Sequence, residues 1–301
     1  VSRAVTAGGG TLGALVRLAR PHQWLKNGFV LVGLLFGHAW QDADAVRGVA
    51  LVFAAFCLSA SGVYVFNDLR DREADRVHPR KRGRPIASGA VSPALAAAYS
   101  LALLVAGVGL AAAVSPQAGG ILAAYVLLNA AYTLGLKHVA ILDVFIIAAG
   151  FMLRILAGTL GVGIPPSQWL LVCGLMITVF LGFAKRRAEL LALAEAGGSH
   201  RPVLDDYTPA GLDNMIAVSA AGVIVSYSLY TVSPDTVRIH GTDDLLFTLP
   251  FVLYGMFRYI HRLHRNGGGG DPAADLLQDP HLAAAVLAWL ATTLWLLSGP
   301  G

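Results

Sequence analysis

Nine apolar stretches dominate this chain and leave few architectures open. They lie near 28–40 (running to 46 at most), 48–66, 94–114, 119–136, 140–160, 168–184, 214–232, 245–261 and 281–298. A helix needs roughly 20 mostly apolar residues to cross a bilayer. Inside hydrocarbon no water satisfies backbone N–H and C=O groups, so a spanning segment must be a helix or part of a closed barrel. Only 13% of the 301 residues are charged and mean hydropathy is +0.64, whereas soluble domains average about 25% charged residues. The expectation is one all-α membrane domain over 1–301 with nine transmembrane helices, preceded by a flexible lead over 1–12.

The distribution of charge orients this bundle. With the N-terminus in the cytoplasm and nine crossings, all but three of the 22 Lys and Arg residues fall on the cytoplasmic side. The exceptions are Arg47 and Arg238 outside and Arg154 within a span. Such asymmetry is the positive-inside pattern of a multi-pass protein of the cell membrane. It accounts for a net charge of +4 and a pI near 9.2 without any nucleic-acid partner. Cys57 and Cys173 fall inside spans, lack metal-ligand spacing, and read as small apolar residues. Gly267 to Gly270 reads as a flexible linker. Two long cytoplasmic connections remain, 67–93 and 185–212, and both mix acids with bases.

In the first, Asn67, Asp71 and Asp75 stand at i, i+4 and i+8, with Asp68 three residues before Asp71. No Pro or Gly interrupts Val63 to Asp75, so the second helix is expected to run past the membrane edge with all four on one face. Like charges so spaced repel and call for a compensating cation. Carboxylate and amide oxygens suit Mg²⁺, which takes one or two carboxylates plus substrate phosphates. The competing reading is a solvated helix end in which Arg70, Arg72 and Arg76 pair with the acids. Against it stands the next segment, where Lys81, Arg82 and Arg84 lie in a proline-stiffened basic loop suited to phosphate.

The string Asn67-Asp68-x-x-Asp71-x-x-x-Asp75, with Arg84-Pro85-Ile86 and Gly89 after it, resembles the signature of the UbiA superfamily of intramembrane prenyltransferases. The resemblance covers nearly the whole chain. It implies nine helices around a lipid-accessible cavity with a cytoplasmic-side active site, where the aspartates bind Mg²⁺ and a donor diphosphate.

The chain departs from the superfamily pattern after the sixth span, where a second aspartate cluster is replaced by Lys185-Arg186-Arg187-Ala188-Glu189. With Arg20-Pro21-His22-Gln23-Trp24-Leu25-Lys26-Asn27 and Asp206-Tyr207-Thr208, that stretch resembles the branch that transfers 5-phosphoribosyl from 5-phosphoribosyl 1-diphosphate (PRPP) to decaprenyl or another polyprenyl phosphate for arabinan precursors. The resemblance implies catalytic Asp68, Asp71 and Asp75, with Mg²⁺ held by these and Asn67. Lys81, Arg82, Arg84, Lys185 and Arg186 are the donor-phosphate candidates. Gln23 and Lys26 lie on the acceptor side, Asn27 is a further substrate-binding candidate, Tyr132 and Lys137 line the head-group pocket, and Tyr207 belongs to the same motif set. Glu189 either orients a ribose hydroxyl, completes the metal shell, or pairs with Lys185.

Asp143 and Arg154 fall on one face of the fifth span, and intramembrane charges are functional candidates, although Arg154 could instead snorkel outward. Because the acceptor phosphate is already an anion, no general base is expected, which leaves His22, His78 and His138 without a catalytic role. Association of copies, up to a trimer, stays open. The alternatives are a prenyltransferase acting on an aromatic or lipid acceptor and, from another class, a transporter.

Overall fold

The computed structural model describes residues 10–79, 81–196, 202–266, 269–270 and 272–298, and every regular element among them is helical. In chain order, α1 (Thr11–Ala19) leads into a 3-10 segment (Pro21–Leu31) and α2 (Val32–Phe36). Then follow α3 (Ala43–Arg70), α4 (Arg72–Val77), α5 (Pro93–Val114), α6 (Pro116–Leu134), α7 (Leu142–Ala157) and α8 (Gln168–Ala196). The chain closes with α9 (Pro209–Val232), α10 (Pro234–His240), α11 (Leu249–Asn266), α12 (Pro272–Gln278) and α13 (Pro280–Ser298).

One local device starts most of the long helices. Ser92, Ser115 and Thr208 each accept a hydrogen bond from a backbone N–H three residues on, and a proline follows each cap. Asp279 repeats the arrangement before Pro280 by accepting from Leu282 N at 2.9 Å. The cap satisfies an orphan donor of the first turn, and proline at the next position gives up no hydrogen bond the helix would have made.

Among the described residues seven helices are long and apolar enough to cross a membrane: α3, α5, α6, α7 with its continuation to Val162, α8, α9 and α13. Two of the nine expected spans take other forms. In the first, eleven residues are 3-10 and only five are α-helical. With rises of about 2.0 and 1.5 Å per residue, Pro21–Phe36 still reaches about 30 Å. Backbone contact goes with this tight winding: a Cβ at Gly158 would lie 1.9 Å from Val30 O, and one at Gly33 would lie 2.1 Å from Gly158 O. In the eighth, α11 is apolar only in its first half and ends in Arg258, His261, Arg262, His264 and Arg265.

Two boundaries also differ from expectation. The helix expected to run unbroken to Asp75 breaks at Asp71, which has non-helical ψ of 6° and joins α3 to α4. Lys185 to Glu189 lie within α8 rather than in a loop, because α8 continues to Ala196. Of the expected lead over 1–12, residues 1–9 lie outside the described residues, and Thr11 and Leu12 belong to α1. Residues 267–268 of the glycine linker, and 197–201 of the second long connection, are likewise outside them.

α3 packs mainly on α5 and α8 on α9, while α7 joins these two groups. Phe56, Leu122, Tyr125 and Ala157 centre one core; Phe180, Phe183, Leu212, Ile216 and Tyr259 centre the other. Outward-facing Leu101, Val105, Leu127, Val218 and Trp295 are exposed, as a lipid-facing surface requires. The charged side chains of the long connections gather at one end of the bundle, called here the basic end.

Candidate active site

At the basic end Asp68 of α3 and Asp75 of α4 are buried and already face cations. Asp68 is 4% exposed and Asp75 2%. A carboxylate so enclosed stays ionised only with compensating partners. Arg20 donates through Nη2 to both oxygens of Asp68, at 2.5 and 2.8 Å. Arg84 Nη1 donates to Asp68 Oδ1 at 3.0 Å and to Asp75 Oδ2 at 2.7 Å. Lys81 Nζ stands 4.0 Å from Asp75 Oδ1. The seven-residue spacing of Asp68 and Asp75 therefore does bring them to one position, despite the break at Asp71. The other two candidates turn towards α6: Lys137 Nζ donates to Asp71 Oδ1 at 3.2 Å, and Thr133 Oγ1 donates to Asn67 Oδ1. Arg72, Glu73 and Arg76 form a separate exposed group, and Arg72, followed by Arg76, lowers the Glu73 pKa.

Among the described residues no three His, Cys, Asp or Glu side chains form a ready-made metal cage. What exists is a pair of buried carboxylates converging on one cationic nitrogen, Arg84 Nη1. That donor set fits Mg²⁺, which prefers one or two carboxylates and leaves the remaining positions to phosphate and water.

The stretch that replaces the second acidic motif builds a buried network. Arg186, 1% exposed, donates through Nε to Asp143 Oδ2 at 2.5 Å, through Nη1 to Glu189, and through Nη2 to Tyr132 OH at 3.4 Å. Glu189 thus pairs with Arg186, a partner the spacing did not point to. Tyr207 OH donates to Asp143 Oδ1 at 2.8 Å and accepts from Ile141 N at 2.5 Å. Burial, followed by the contact with Asp143, pushes the Tyr207 pKa well above its ordinary value. Ile141 has φ 68°, a rare conformation for a β-branched residue, and its N–H to Tyr207 OH bond ties the entry of α7 to the segment before α9. Tyr132 touches this network while Thr133 and Lys137 touch the first, so the end of α6 stands between them.

A cavity of about 480 Å³ opens between the 3-10 segment, α7 and α8. Gln23, Lys26 and Lys185 line it towards the basic end, and Phe29, Phe151 and Leu181 line it farther in. Leu181 and Leu276 are shared with a cleft of about 300 Å³ that has no charged lining residue among the described residues, so an apolar path continues from the lysines between the helices. Behind Phe151 lies Arg154. It does not snorkel: it is buried, donating to Asn27 Oδ1 at 2.8 Å, Gly150 O at 2.8 Å and Tyr125 OH at 2.9 Å. Its guanidinium lies 4.6 Å from the Tyr125 ring centroid. Asn27 in turn donates to Cys57 Sγ at 3.3 Å, so both are held by partners inside the bundle.

The UbiA prenyltransferase family matches residues 28–274. The chain belongs to that family. It is 35% identical over 289 residues to the decaprenyl-phosphate phosphoribosyltransferase of Mycolicibacterium smegmatis, covering 92% of this chain and 90% of that one. The protein of the same name from Mycobacterium tuberculosis is 34% identical, with 92% of each chain covered. In fold, the UbiA homologue of Archaeoglobus fulgidus bound to GPP and Mg²⁺ superposes with a TM-score of 0.69 at 18% identity, over 95% of this chain and all of that one. The chain is thus a multi-pass membrane transferase of the UbiA family.

Measured against the sequence candidates, this UbiA site unites Asp68, Asp75, Lys81 and Arg84 in one cluster, Asp71 and Lys137 beside it, and Tyr132, Arg186, Glu189 and Tyr207 in the second network. Among the described residues Arg82 joins neither group, and its side chain is exposed. Sequence reading missed Arg20 as a partner of Asp68: it stood among the orienting positive charges and opened the Arg20 to Asn27 motif, but was given no role at the site. Its place directly before Pro21-His22-Gln23 was the available signal. Thr133 was missed as well, although it stands beside Tyr132 in the segment that runs to Lys137.

Proposed function

We propose that this UbiA-family chain transfers 5-phosphoribosyl from PRPP to a polyprenyl phosphate, decaprenyl phosphate being the expected acceptor, with Mg²⁺ as cofactor, in the cell membrane and in the service of arabinan precursor synthesis. The observation that carries this reading is the near end-to-end match to phosphoribosyltransferases at 34–35% identity. The site supports it with cations where another branch would place acids. The charge asymmetry and the reach of Pro21–Phe36 support nine crossings with the N-terminus and site cytoplasmic.

Asp68 and Asp75 hold the metal position, with Asn67 directly before Asp68 and Asp71 one turn after it as further oxygen donors. Mg²⁺ there supplies charge neutralisation of the departing diphosphate. Arg84, Lys81 and Arg82 sit on the loop above the acids and take donor phosphates. Lys26, Gln23 and Lys185 receive the acceptor phosphate at the mouth of the cavity, and the polyprenyl chain follows the apolar path past Phe151 and Leu181. Lys185 is thereby moved from the donor to the acceptor side. Arg186 and Glu189, spent on each other and on Asp143, shape the pocket from behind. An acceptor phosphate oxygen bonds to ribose C1 as the bond from C1 to the diphosphate oxygen breaks. The nucleophile carries no proton that must be removed, so His22, His78 and His138 are not needed.

The test is incubation of purified protein and Mg²⁺ with labelled PRPP and polyprenyl phosphate, beside a parallel reaction with labelled prenyl diphosphate. Label entering lipid from PRPP alone is the expected result. Transfer from the prenyl donor alone would move the chain to the other branch.

A further inference from the structure

Arg20 and Arg84 neutralise Asp68 and Asp75 before any ligand arrives, and this has a consequence for the order in which ligands bind. We infer that the two arginines are exchangeable counter-ions: they occupy the metal position of the empty site, and they leave it for donor phosphate when metal and diphosphate enter together. The inference rests on the proposed metal and diphosphate chemistry of the site, and it adds Arg20 to the donor-binding residues.

Three observations carry it. The first is charge. Two buried carboxylates face two guanidiniums, with the Lys81 ammonium 4.0 Å from Asp75 as well, so no negative charge is left uncompensated. A divalent cation entering alone would meet those fixed positive groups at hydrogen-bond distance from its own ligands, whereas a metal diphosphate arrives with net negative charge and gives each arginine a new anion. Guanidinium does not deprotonate to relieve the conflict and pairs in bidentate fashion with phosphate as readily as with carboxylate.

The second is asymmetry of burial. The carboxylate side chains are 5% and 3% exposed, while those of Arg20 and Arg84 are 24% and 29% exposed. The arginines are the partners that reach solvent. The third is where they sit. Arg20 lies between α1 and the 3-10 segment, with left-handed φ 51° and ψ 58°, and Arg84 lies in the helix-free turns between α4 and α5. Either can swing without breaking a helix interior. The Arg20 guanidinium also lies 5.3 Å from the Tyr64 ring centroid, a surface along which it can turn while staying in contact.

Equilibrium dialysis of the purified protein against Mn²⁺, with and without inorganic diphosphate, tests this without turnover. The wild-type chain is expected to bind Mn²⁺ at least tenfold more tightly with diphosphate present. Arg20→Gln and Arg84→Gln, each checked for a monodisperse detergent complex, are expected to bind Mn²⁺ alone at least tenfold more tightly than wild type and to lose most of the gain from diphosphate. Arg20→Lys, which keeps the charge, should stay close to wild type. Equal Mn²⁺ affinity of the wild type with and without diphosphate overturns the inference, and so do variants that bind bare metal no better. Diphosphate leaves from phosphoribosyl and prenyl donors alike, so failure of the phosphoribosyl reading in the labelling experiment would leave this result intact, and the reverse holds.

Discussion

At the scale of single residues the site is governed by what burial does to charge. A buried carboxylate robbed of its partners is costly, about 3–5 kcal/mol where one member of a buried pair is removed, which explains why Asp68 and Asp75 are each approached by more than one cation. Asp68→Ala or Asp75→Ala should lower transfer at least 100-fold while the protein still elutes as a folded detergent complex; near-normal Mg²⁺-dependent turnover would contradict the metal assignment. Lys26→Ala and Lys185→Ala address the other substrate. A charge-assisted hydrogen bond contributes about 1.5–3 kcal/mol, so each change should raise KM for the polyprenyl phosphate roughly tenfold or more and leave KM for PRPP near its original value. A rise confined to PRPP would return Lys185 to the donor side. Sequence spacing made the acids legible because i, i+7 places two side chains on one face of any helix. It could not assign Lys185, since a helix carries Lys185 and Arg186 in different directions, one to the cavity and one into the interior.

Among the elements, the 3-10 segment carries the most consequence. Its register presents Gln23 and Lys26 to the cavity, and its neighbours hold it there: Arg154 through Asn27, and Gly158 through direct backbone contact. Gly158→Ala would drive a methyl group into Val30 O, and such overpacking costs about 1–3 kcal/mol. The variant should melt several degrees lower in a detergent thermal-shift assay and show weakened acceptor binding. The last helix depends on a cap. Arg258 first, and then the Leu282 N–H, hold the Asp279 carboxyl down to about 2. A depressed carboxylate contributes stability above its unfolded value near 3.8 and loses it as pH falls through about 2. Asp279→Asn should therefore melt below wild type at neutral pH, with the gap closing between about pH 4 and pH 2; a gap independent of pH would assign the effect to packing.

For the whole molecule the prediction is one of sidedness. Gln117 and Ser88 are exposed at opposite ends of α5 and α6. A membrane-impermeant maleimide should label Gln117→Cys in intact cells and Ser88→Cys only after lysis, against a low background from buried Cys57 and half-buried Cys173. The reverse pattern would invert the bundle and place the acids outside. The two helical groups joined through α7 also explain why both long connections reach one end: α3 and α8 each deliver their charged C-terminal turns to it, and the end of α6 lies between them.

The chain's own pattern determined that it is helical and polytopic, because apolar length and charge asymmetry act on each segment separately and need no knowledge of its neighbours. The acidic spacing, the basic loop and the family resemblance were local in the same sense. Which cation faces which acid is a matter of contact between residues distant in sequence, and there the tertiary structure decided: Arg20 with Asp68 across 48 residues, Lys137 with Asp71 across 66, Arg154 with Asn27 across 127. The 3-10 winding of the first crossing belongs to the same class, since close backbone approach between Val30, Gly33 and Gly158 exists only once the helices have packed. A sequence states the charges to be neutralised; only the packed bundle assigns the partners, because burial is what makes partnership obligatory.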